Sequence, residues 1–222
     1  MSKTNNHSAV IFDLDGTLLD TIDDLSDSMN KALRDFGFPV HDTEFYKKMV
    51  GDGLPKLVQR VLPEAHRDEN TIQICIQEME SEYQKRWNRK TQAYEGIPEL
   101  LAALSEREIT MNVVSNKLER YTQLAVDFYF PQFRFDYVIG TSPSLPRKPD
   151  PSSALLIAKG LKIKTGQFVF LGDTNTDMKT AIAAGMFPVG ALWGFRSRNE
   201  LEESGAEAVI GHPLDLLEYF QD

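Results

Sequence analysis

The stretch Ala9-Val10-Ile11-Phe12-Asp13-Leu14-Asp15-Gly16-Thr17 decides the fold of this 222-residue chain. Its first four residues are apolar, with two β-branched side chains, which predicts a buried strand. The strand then runs into two carboxylates, although burying an unpaired carboxylate is costly. Because side chains alternate along a strand, Asp13 and Asp15 are expected to share a face and converge beyond its carboxyl end. Open α/β sheets bind their ligands at that end, and Gly16 lets the backbone approach a ligand closely.

The composition limits the classes of partner. The net charge is −9 and no long basic run is present, so nucleic-acid binding is not expected. The single Cys75 precludes an internal disulfide and is typical of a reducing compartment, which favours a cytoplasmic location. Met1–Ser8 lacks the apolar core of a secretion signal. The most apolar stretch, Ala181–Phe195, is interrupted by glycine and proline, so no membrane partner is expected either.

The hydrophobic pattern changes twice along the chain. After Asp20, apolar residues recur at helical spacing, and no strand is predicted before about residue 90. From Tyr94 onward strands and helices alternate, for example a strand over Ile109–Ser115 followed by a helix over Lys117–Phe128. This alternation predicts an α/β fold with a doubly wound, mostly parallel sheet. The predicted division is a core of residues 1–19 and 91–222 and an inserted helical domain of residues 20–90.

Four groups of polar or charged residues lie at or just beyond the predicted strand ends. The groups are Asp13 with Asp15, Ser115 with Asn116, Lys148 between Arg147 and Pro149, and Asp173 with Asp177. The neighbouring prolines hold the lysine on a non-helical segment, where its ammonium can neutralise an anion. A serine hydroxyl and an amide can bind a phosphoryl oxygen. Carboxylates from separate loops are the oxygen ligands that magnesium prefers.

In this order the four groups resemble the four motifs of the haloacid dehalogenase superfamily of aspartate-nucleophile phosphatases. The resemblance covers nearly the whole chain and implies a Rossmann-like core with a helical cap formed by residues 20–90. It implies that Asp13 is the nucleophile that forms an aspartyl-phosphate. It also implies that Asp15 acts first as general acid and then as general base.

The same resemblance implies how magnesium and the phosphoryl group are held. The metal ligands would be Asp13, the backbone carbonyl of Asp15, and Asp173, with Asp177 close behind through water. Ser115, Asn116 and Lys148 would hold the phosphoryl group, together with Gly16 and Thr17 in the turn. Thr17 either braces that turn or touches the substrate.

The substrate class follows from a further resemblance. The stretch Met49-Val50-Gly51-Asp52-Gly53-Leu54 resembles the cap loop of bacterial phosphoglycolate phosphatases. In the tail, Leu192–Arg196 and Gly205–Ile210 also resemble that family. The implied activity is hydrolysis of a small phosphorylated metabolite, with 2-phosphoglycolate the leading candidate. A phosphomutase of the β-phosphoglucomutase type and a pyrophosphatase remain open alternatives, and a phosphometabolite-binding protein is the non-enzymatic one. A monomer or a homodimer is expected.

Overall fold

The computed structural model describes residues 7–220 and divides the chain into two compact units. One unit comprises Met1–Leu19 and Ala93–Asp222, and the other comprises Asp20–Gln92. The second unit therefore ends at Gln92, two residues beyond the predicted end of the inserted domain at residue 90. The expectation that Met1–Ser8 contains no secretion signal stays untested, because most of that segment lies outside the described residues. That the second unit acts as a cap stays a prediction.

The strands, in chain order, are β1 Ala9–Phe12, β2 Leu19–Asp20, β3 Gln92–Ala93, β4 Thr110–Leu118, β5 Tyr137–Thr141, β6 Phe168–Gly172, β7 Phe187–Ala191 and β8 Ala208–Ile210. Six of them form one sheet in the order β5-β4-β1-β6-β7-β8, and every neighbouring pair in this sheet is parallel. The predicted α/β fold with a parallel sheet is confirmed. β2 and β3 form a separate two-stranded sheet, and the described residues between Asp20 and Gln92 contain no strand, as expected.

The helices, in chain order, are α1 Ile22–Asp35, α2 Thr43–Met49, α3 Leu54–Val61, α4 Glu69–Arg86, α5 Ile97–Glu106, α6 Glu119–Tyr129, α7 Ser152–Leu161, α8 Asn175–Ala184 and α9 Arg198–Glu203, with 3₁₀ helices at Glu64–His66, Thr165–Gln167 and Pro213–Tyr219. α6 begins at Glu119 rather than at the predicted Lys117, because β4 continues through Leu118. α9 was not predicted; Ser197 starts it by accepting a hydrogen bond from the Glu200 amide at 3.3 Å. Among the described residues, no helix combines the length and hydrophobicity needed to cross a bilayer.

The sheet reverses its winding at β1, which lies between β4 and β6. Phe12, the last residue of β1, is in register with Val113 of β4 and with Leu171 of β6. All four residues of β1 are buried, as a strand covered by helices on both faces requires. The residues that follow these three strands therefore meet at one edge, at the reversal point where doubly wound sheets bind ligands.

The second unit is built from α1 to α4, and acidic caps fix where two of its helices start. Asp42 accepts a hydrogen bond from the Phe45 amide at 2.7 Å, and Asp68 accepts one from the Thr71 amide at 3.0 Å. Such caps satisfy amide groups that lack a partner in the first helical turn. α1 packs along α4, and both contribute buried apolar side chains to the interior of this unit.

The loop over residues 49–53 is held by Arg60 of α3. The Arg60 guanidinium donates to the Met49 carbonyl at 2.8 Å and forms an ion pair with Asp52. Gly53 has a φ of 86°, a value that favours glycine, and α3 begins directly after it. The loop therefore has a defined conformation within its own unit, whereas its contact with a substrate stays a prediction.

Asp24 fixes the end of the second unit, and replacing it by alanine should destabilise this unit. Its buried carboxylate accepts hydrogen bonds from the Lys90 amide at 2.9 Å and from the amide and hydroxyl of Thr91, both at 2.8 Å. Asp24→Ala leaves buried donors unpaired, so we expect the free energy of unfolding to fall by about 3 kcal/mol. Urea denaturation followed by circular dichroism measures this loss.

The matched control is Asp23→Ala. Asp23 also lies in the first turn of α1, so both variants lose the same favourable interaction with the helix dipole. Its side chain is exposed and makes only a 3.4 Å hydrogen bond with Thr43, so we expect a loss below about 1 kcal/mol. Equal losses in the two variants would show that the contacts to residues 90 and 91 contribute little.

Candidate active site

A buried ammonium group joins two carboxylates at the edge where β1 and β6 end. Lys148 Nζ lies 2.8 Å from Asp13 Oδ1 and 2.7 Å from Asp177 Oδ1, and its side chain is 3% exposed. Burial lowers the pKa of Lys148, but the charges of Asp13 and Asp177 outweigh this effect and raise the pKa above its ordinary value. The ammonium is therefore a fixed positive charge.

Asp13 is the first residue after β1, and its backbone amide donates to the Leu171 carbonyl of β6 at 2.9 Å. Burial, and then the charge of Asp177, raises the pKa of Asp13 well above its ordinary value, while Lys148 opposes the shift. Oδ1 also accepts a hydrogen bond from the Leu14 amide at 2.7 Å. The carboxylate is thus held in one orientation, in surroundings where little water shields it.

Asp173 lies directly beyond β6 and is held on both oxygens. The Thr17 hydroxyl donates to Oδ1 and the Phe195 amide donates to Oδ2, each at 2.9 Å. Burial, and then the charge of Asp177, raises the pKa of Asp173 to about 7, although both hydrogen bonds lower it. Thr17 therefore braces this carboxylate, a function that was not expected from sequence, and its contact with a substrate stays a prediction.

Asp177 lies in the first turn of α8, and the sequence explains its position. Its Oδ2 accepts hydrogen bonds from the Thr174 amide at 3.0 Å and the Thr174 hydroxyl at 2.6 Å. This reciprocal arrangement at a helix start uses one carboxylate oxygen as a cap. The other oxygen, Oδ1, faces Lys148.

Three of these carboxylates together fit a divalent cation. Ligand atoms of Asp13, Asp173 and Asp177 lie within 4.8 Å of one another, and all three side chains are buried. Oxygen donors of this kind suit hard cations such as Mg²⁺. With Asp15, four carboxyl groups lie near the ammonium groups of Lys148 and Lys117, and a divalent cation would offset their excess negative charge.

Ser115 lies in β4, as expected, and Asn116 also lies within β4 rather than near the start of the following helix. The Asn116 side chain donates to the Lys148 carbonyl at 3.0 Å and accepts from the Lys148 amide at 2.9 Å. This pair of hydrogen bonds fixes the segment that carries the buried ammonium. Ser115 Oγ accepts a hydrogen bond from the Lys117 amide at 3.2 Å. Their contact with a phosphoryl group stays a prediction.

Asp15 takes a different partner from Asp13, and the expected convergence of the two carboxylates stays a prediction. Asp15 Oδ1 lies 2.7 Å from Lys117 Nζ. Gly16, at a φ of 91°, turns the chain between Asp15 and Thr17. Sequence reasoning missed Lys117, which was assigned to a helix. It also missed the Phe195 amide, because a backbone donor has no side-chain signature.

The family follows from comparison with known proteins. A family model described as haloacid dehalogenase-like hydrolase matches residues 10–191, most of the chain. The chain is a haloacid dehalogenase-like hydrolase. The resemblance stated from the four sequence motifs is therefore confirmed.

Several bacterial relatives of this hydrolase are phosphoglycolate phosphatases. It is 31% identical over 211 residues to the phosphoglycolate phosphatase of Xanthomonas campestris pv. campestris, with 95% of each chain covered. It is 30% identical over 205 residues to that of Pseudomonas savastanoi pv. phaseolicola, covering 90% of this chain and 75% of the relative. The chain is thus a phosphoglycolate phosphatase-like member of the family.

Solved structures agree with the fold. A candidate phosphoglycolate phosphatase from Lactobacillus delbrueckii subsp. bulgaricus superposes with a TM-score of 0.91 at 27% identity, covering 97% of this chain and 99% of the other. A predicted phosphoglycolate phosphatase from Haemophilus somnus superposes with a TM-score of 0.89 at 25% identity, with the same coverage. The Rossmann-like α/β architecture is therefore shared across these proteins.

Gly194 gives the haloacid dehalogenase-like site its close packing, and an alanine there should disturb the candidate metal ligand Asp173. An added Cβ would lie 2.2 Å from the Asp173 Cβ and 2.5 Å from the Gly16 carbonyl oxygen. We expect Gly194→Ala to displace Asp173 and to weaken Mg²⁺ binding about 10-fold or more, because these atoms belong to a tightly packed interior. Isothermal titration with Mg²⁺ measures the change.

Gly211→Ala is the control for that substitution. Gly211 directly follows β8, and a Cβ there would meet no atom within 4 Å. We expect its Mg²⁺ affinity to equal that of the unaltered chain. Unchanged Mg²⁺ affinity in Gly194→Ala would contradict the assignment of Asp173 as a ligand held by this packing.

Proposed function

We propose that this protein is a magnesium-dependent phosphatase that hydrolyses a small phosphate monoester, with 2-phosphoglycolate the preferred substrate. The observation that carries the proposal is the buried Asp13 carboxylate beside Lys148 and within reach of Asp173 and Asp177. A fixed cation next to a buried nucleophile offsets the charge of an incoming phosphate dianion. The names of the curated relatives support the choice of substrate.

In the first half of the proposed reaction, one carboxylate oxygen of Asp13 attacks phosphorus. A bond forms between that oxygen and phosphorus, and the ester P–O bond breaks. Asp15 gives its proton to the leaving oxygen, so the alcohol departs neutral. Splitting a slow hydrolysis into two displacements at one carboxylate lowers each barrier.

In the second half, water attacks the phosphorus of the aspartyl-phosphate. Asp15, now ionised, takes a proton from that water, and the Asp13–phosphoryl bond breaks to release inorganic phosphate. Lys148 remains charged throughout and stays beside Asp13. Ser115 and Asn116 would orient the phosphoryl oxygens, with Gly16 and Thr17 shaping the turn beneath.

Magnesium fits the donor set of this proposal. Asp13 and Asp173 would hold the ion directly, the Asp15 carbonyl would supply a backbone ligand, and Asp177 would hold it through water. When bound, Mg²⁺ supplies Lewis acidity toward a phosphoryl oxygen. The chain's own contribution is to orient these ligands, as the hydrogen bonds from Thr17 and the Phe195 amide to Asp173 do.

We also propose a reducing, cytoplasmic location, which the free thiol of buried Cys75 supports. The reaction partner there is a small phosphorylated metabolite. Neither nucleic acid nor a membrane is needed for the proposed reaction.

The test is a panel of phosphate compounds incubated with metal-free protein and then with Mg²⁺. The panel contains 2-phosphoglycolate, p-nitrophenyl phosphate, β-glucose 1-phosphate and pyrophosphate, and released phosphate is measured. We expect Mg²⁺-dependent release, fastest from 2-phosphoglycolate. Isomerisation of β-glucose 1-phosphate without phosphate release would establish the phosphomutase instead, and preferential cleavage of pyrophosphate would establish the pyrophosphatase. Tight binding of 2-phosphoglycolate without turnover of any compound would establish a binding protein.

A further inference from the structure

Lys117 is a second, partly buried lysine at the site, and the proposed chemistry leaves it without a function. Its side chain is 9% exposed and its Nζ lies 2.7 Å from Asp15 Oδ1. An exposed ion pair contributes little and needs no explanation, but a lysine side chain is rarely this buried unless its charge is paired. The question is therefore what the ion pair of Lys117 with Asp15 contributes to function.

The backbone around Lys117 is held in place from three directions. The Lys117 amide donates to Ser115 Oγ at 3.2 Å. The Lys117 carbonyl accepts from the Thr122 hydroxyl and from the Thr141 hydroxyl, both at 3.3 Å. A side chain that extends from such a fixed segment has less freedom to lose when its ammonium binds Asp15.

The pairing engages one oxygen of Asp15 and leaves the other available. Within residues 7–220, the recorded partner of the Asp15 carboxylate is Lys117, and it contacts Oδ1. A carboxylic acid can accept a hydrogen bond at one oxygen while its other oxygen carries a proton. Oδ2 can thus deliver a proton and later receive one while Oδ1 stays fixed.

We propose that Lys117 is a positioning residue that holds Asp15 in the orientation required for proton transfer to and from the substrate. This inference rests on the proposed phosphatase function, because it assigns Asp15 as the acid and base. Proton transfer by a positioned side chain accelerates reactions by ~10²–10⁴-fold, and the gain depends on hydrogen-bonding geometry. Loss of Lys117 should therefore impair protonation of the leaving group selectively.

Phenyl phosphate and p-nitrophenyl phosphate separate this effect from simple phosphate binding. The two esters have nearly the same shape, but the nitro group makes p-nitrophenol a leaving group that departs well without a proton. kcat/KM reports the steps up to phosphoryl transfer to Asp13. The ratio of the two kcat/KM values also cancels the fraction of protein that is misfolded, so it stays informative for an unstable variant.

In Lys117→Met, we expect kcat/KM for phenyl phosphate to fall about 10-fold to 100-fold and that for p-nitrophenyl phosphate to fall less than about 3-fold. Asp15→Asn should show the same selective loss, and Lys117→Arg should restore most of the ratio. Lys164→Met, the same substitution at an exposed lysine, should leave both values unchanged.

The outcomes distinguish this inference from the proposed function. If the unaltered chain releases phosphate neither from 2-phosphoglycolate nor from the two esters, or if Asp13→Asn retains its rate, the phosphatase proposal fails. If the chain is active and depends on Asp13, but Lys117→Met lowers both esters equally or neither, the positioning function of Lys117 is overturned while the phosphatase proposal stands.

Discussion

Asp13→Asn should lower phosphate release by ~10⁴-fold or more, because an amide cannot form the acyl-phosphate bond. The variant should remain folded. Burial, and then the charge of Asp177, already raises the pKa of Asp13, so a neutral side chain of the same shape suits the position. Rate measurements with 2-phosphoglycolate and p-nitrophenyl phosphate under saturating Mg²⁺ test the first expectation, and thermal unfolding tests the second.

Locating the phosphorylated residue tests the same prediction directly. Protein quenched in acid during turnover should carry one phosphoryl group, located by peptide mass spectrometry at Asp13 and absent from Asp13→Asn. Asp35→Asn, which alters an exposed aspartate of α1 in the other unit, is the control and should keep full activity. Phosphorylation at any other residue, or a rate in Asp13→Asn above one hundredth of normal, would disprove Asp13 as the nucleophile.

The grouping of Asp13 with Asp173 and Asp177 could be predicted from sequence because a short-range rule determines it. Each residue follows a buried strand within a few positions, and the carboxyl ends of parallel strands share an edge. The structure brings ligand atoms of all three within 4.8 Å. The alternation of strands and helices predicted the sheet in the same way, because each βα unit has its own local hydrophobic period.

The position of Lys117 could not be predicted because a strand end was misplaced. A lysine at the start of a predicted helix is ordinarily a solvated surface residue. β4 instead continues through Leu118, with an irregular register between Val114 and Leu118. The one available clue was that Ser115 and Lys117 are two residues apart, the spacing at which strand side chains share a face.

The hydrogen bonds to Asp173 show a second limit of sequence reasoning. The Phe195 amide reaches Asp173 from a segment that follows β7, 22 residues along the chain. Any residue type except proline offers that donor, so composition and spacing carry no sign of it. The close packing around Asp173 does require glycine at positions 16 and 194, where a Cβ would overlap the Asp173 side chain. In a sequence, however, a glycine beside a turn is more often explained by the turn itself.

Lys148→Met should separate catalysis from metal binding. Removing the ammonium leaves Asp13 and Asp177 buried without their shared cation, which should lower the metal-free free energy of unfolding by about 3–5 kcal/mol. The phosphatase rate should fall by ~10³-fold, because the fixed charge beside the nucleophile is lost. Denaturation and phosphate release measure these two losses.

Magnesium affinity should change in the opposite direction in the same variant. Lys148 repels a divalent cation from Asp13 and Asp177, and methionine does not, so we expect Mg²⁺ to bind about 10-fold tighter. Ligand binding to the folded state then restores part of the lost stability, so a given Mg²⁺ concentration should raise the free energy of unfolding more than in the unaltered chain. Lys159→Met, at an exposed lysine of α7, should change neither quantity. Weaker Mg²⁺ binding in Lys148→Met would mean that the ammonium organises the metal ligands rather than competing with the ion for them.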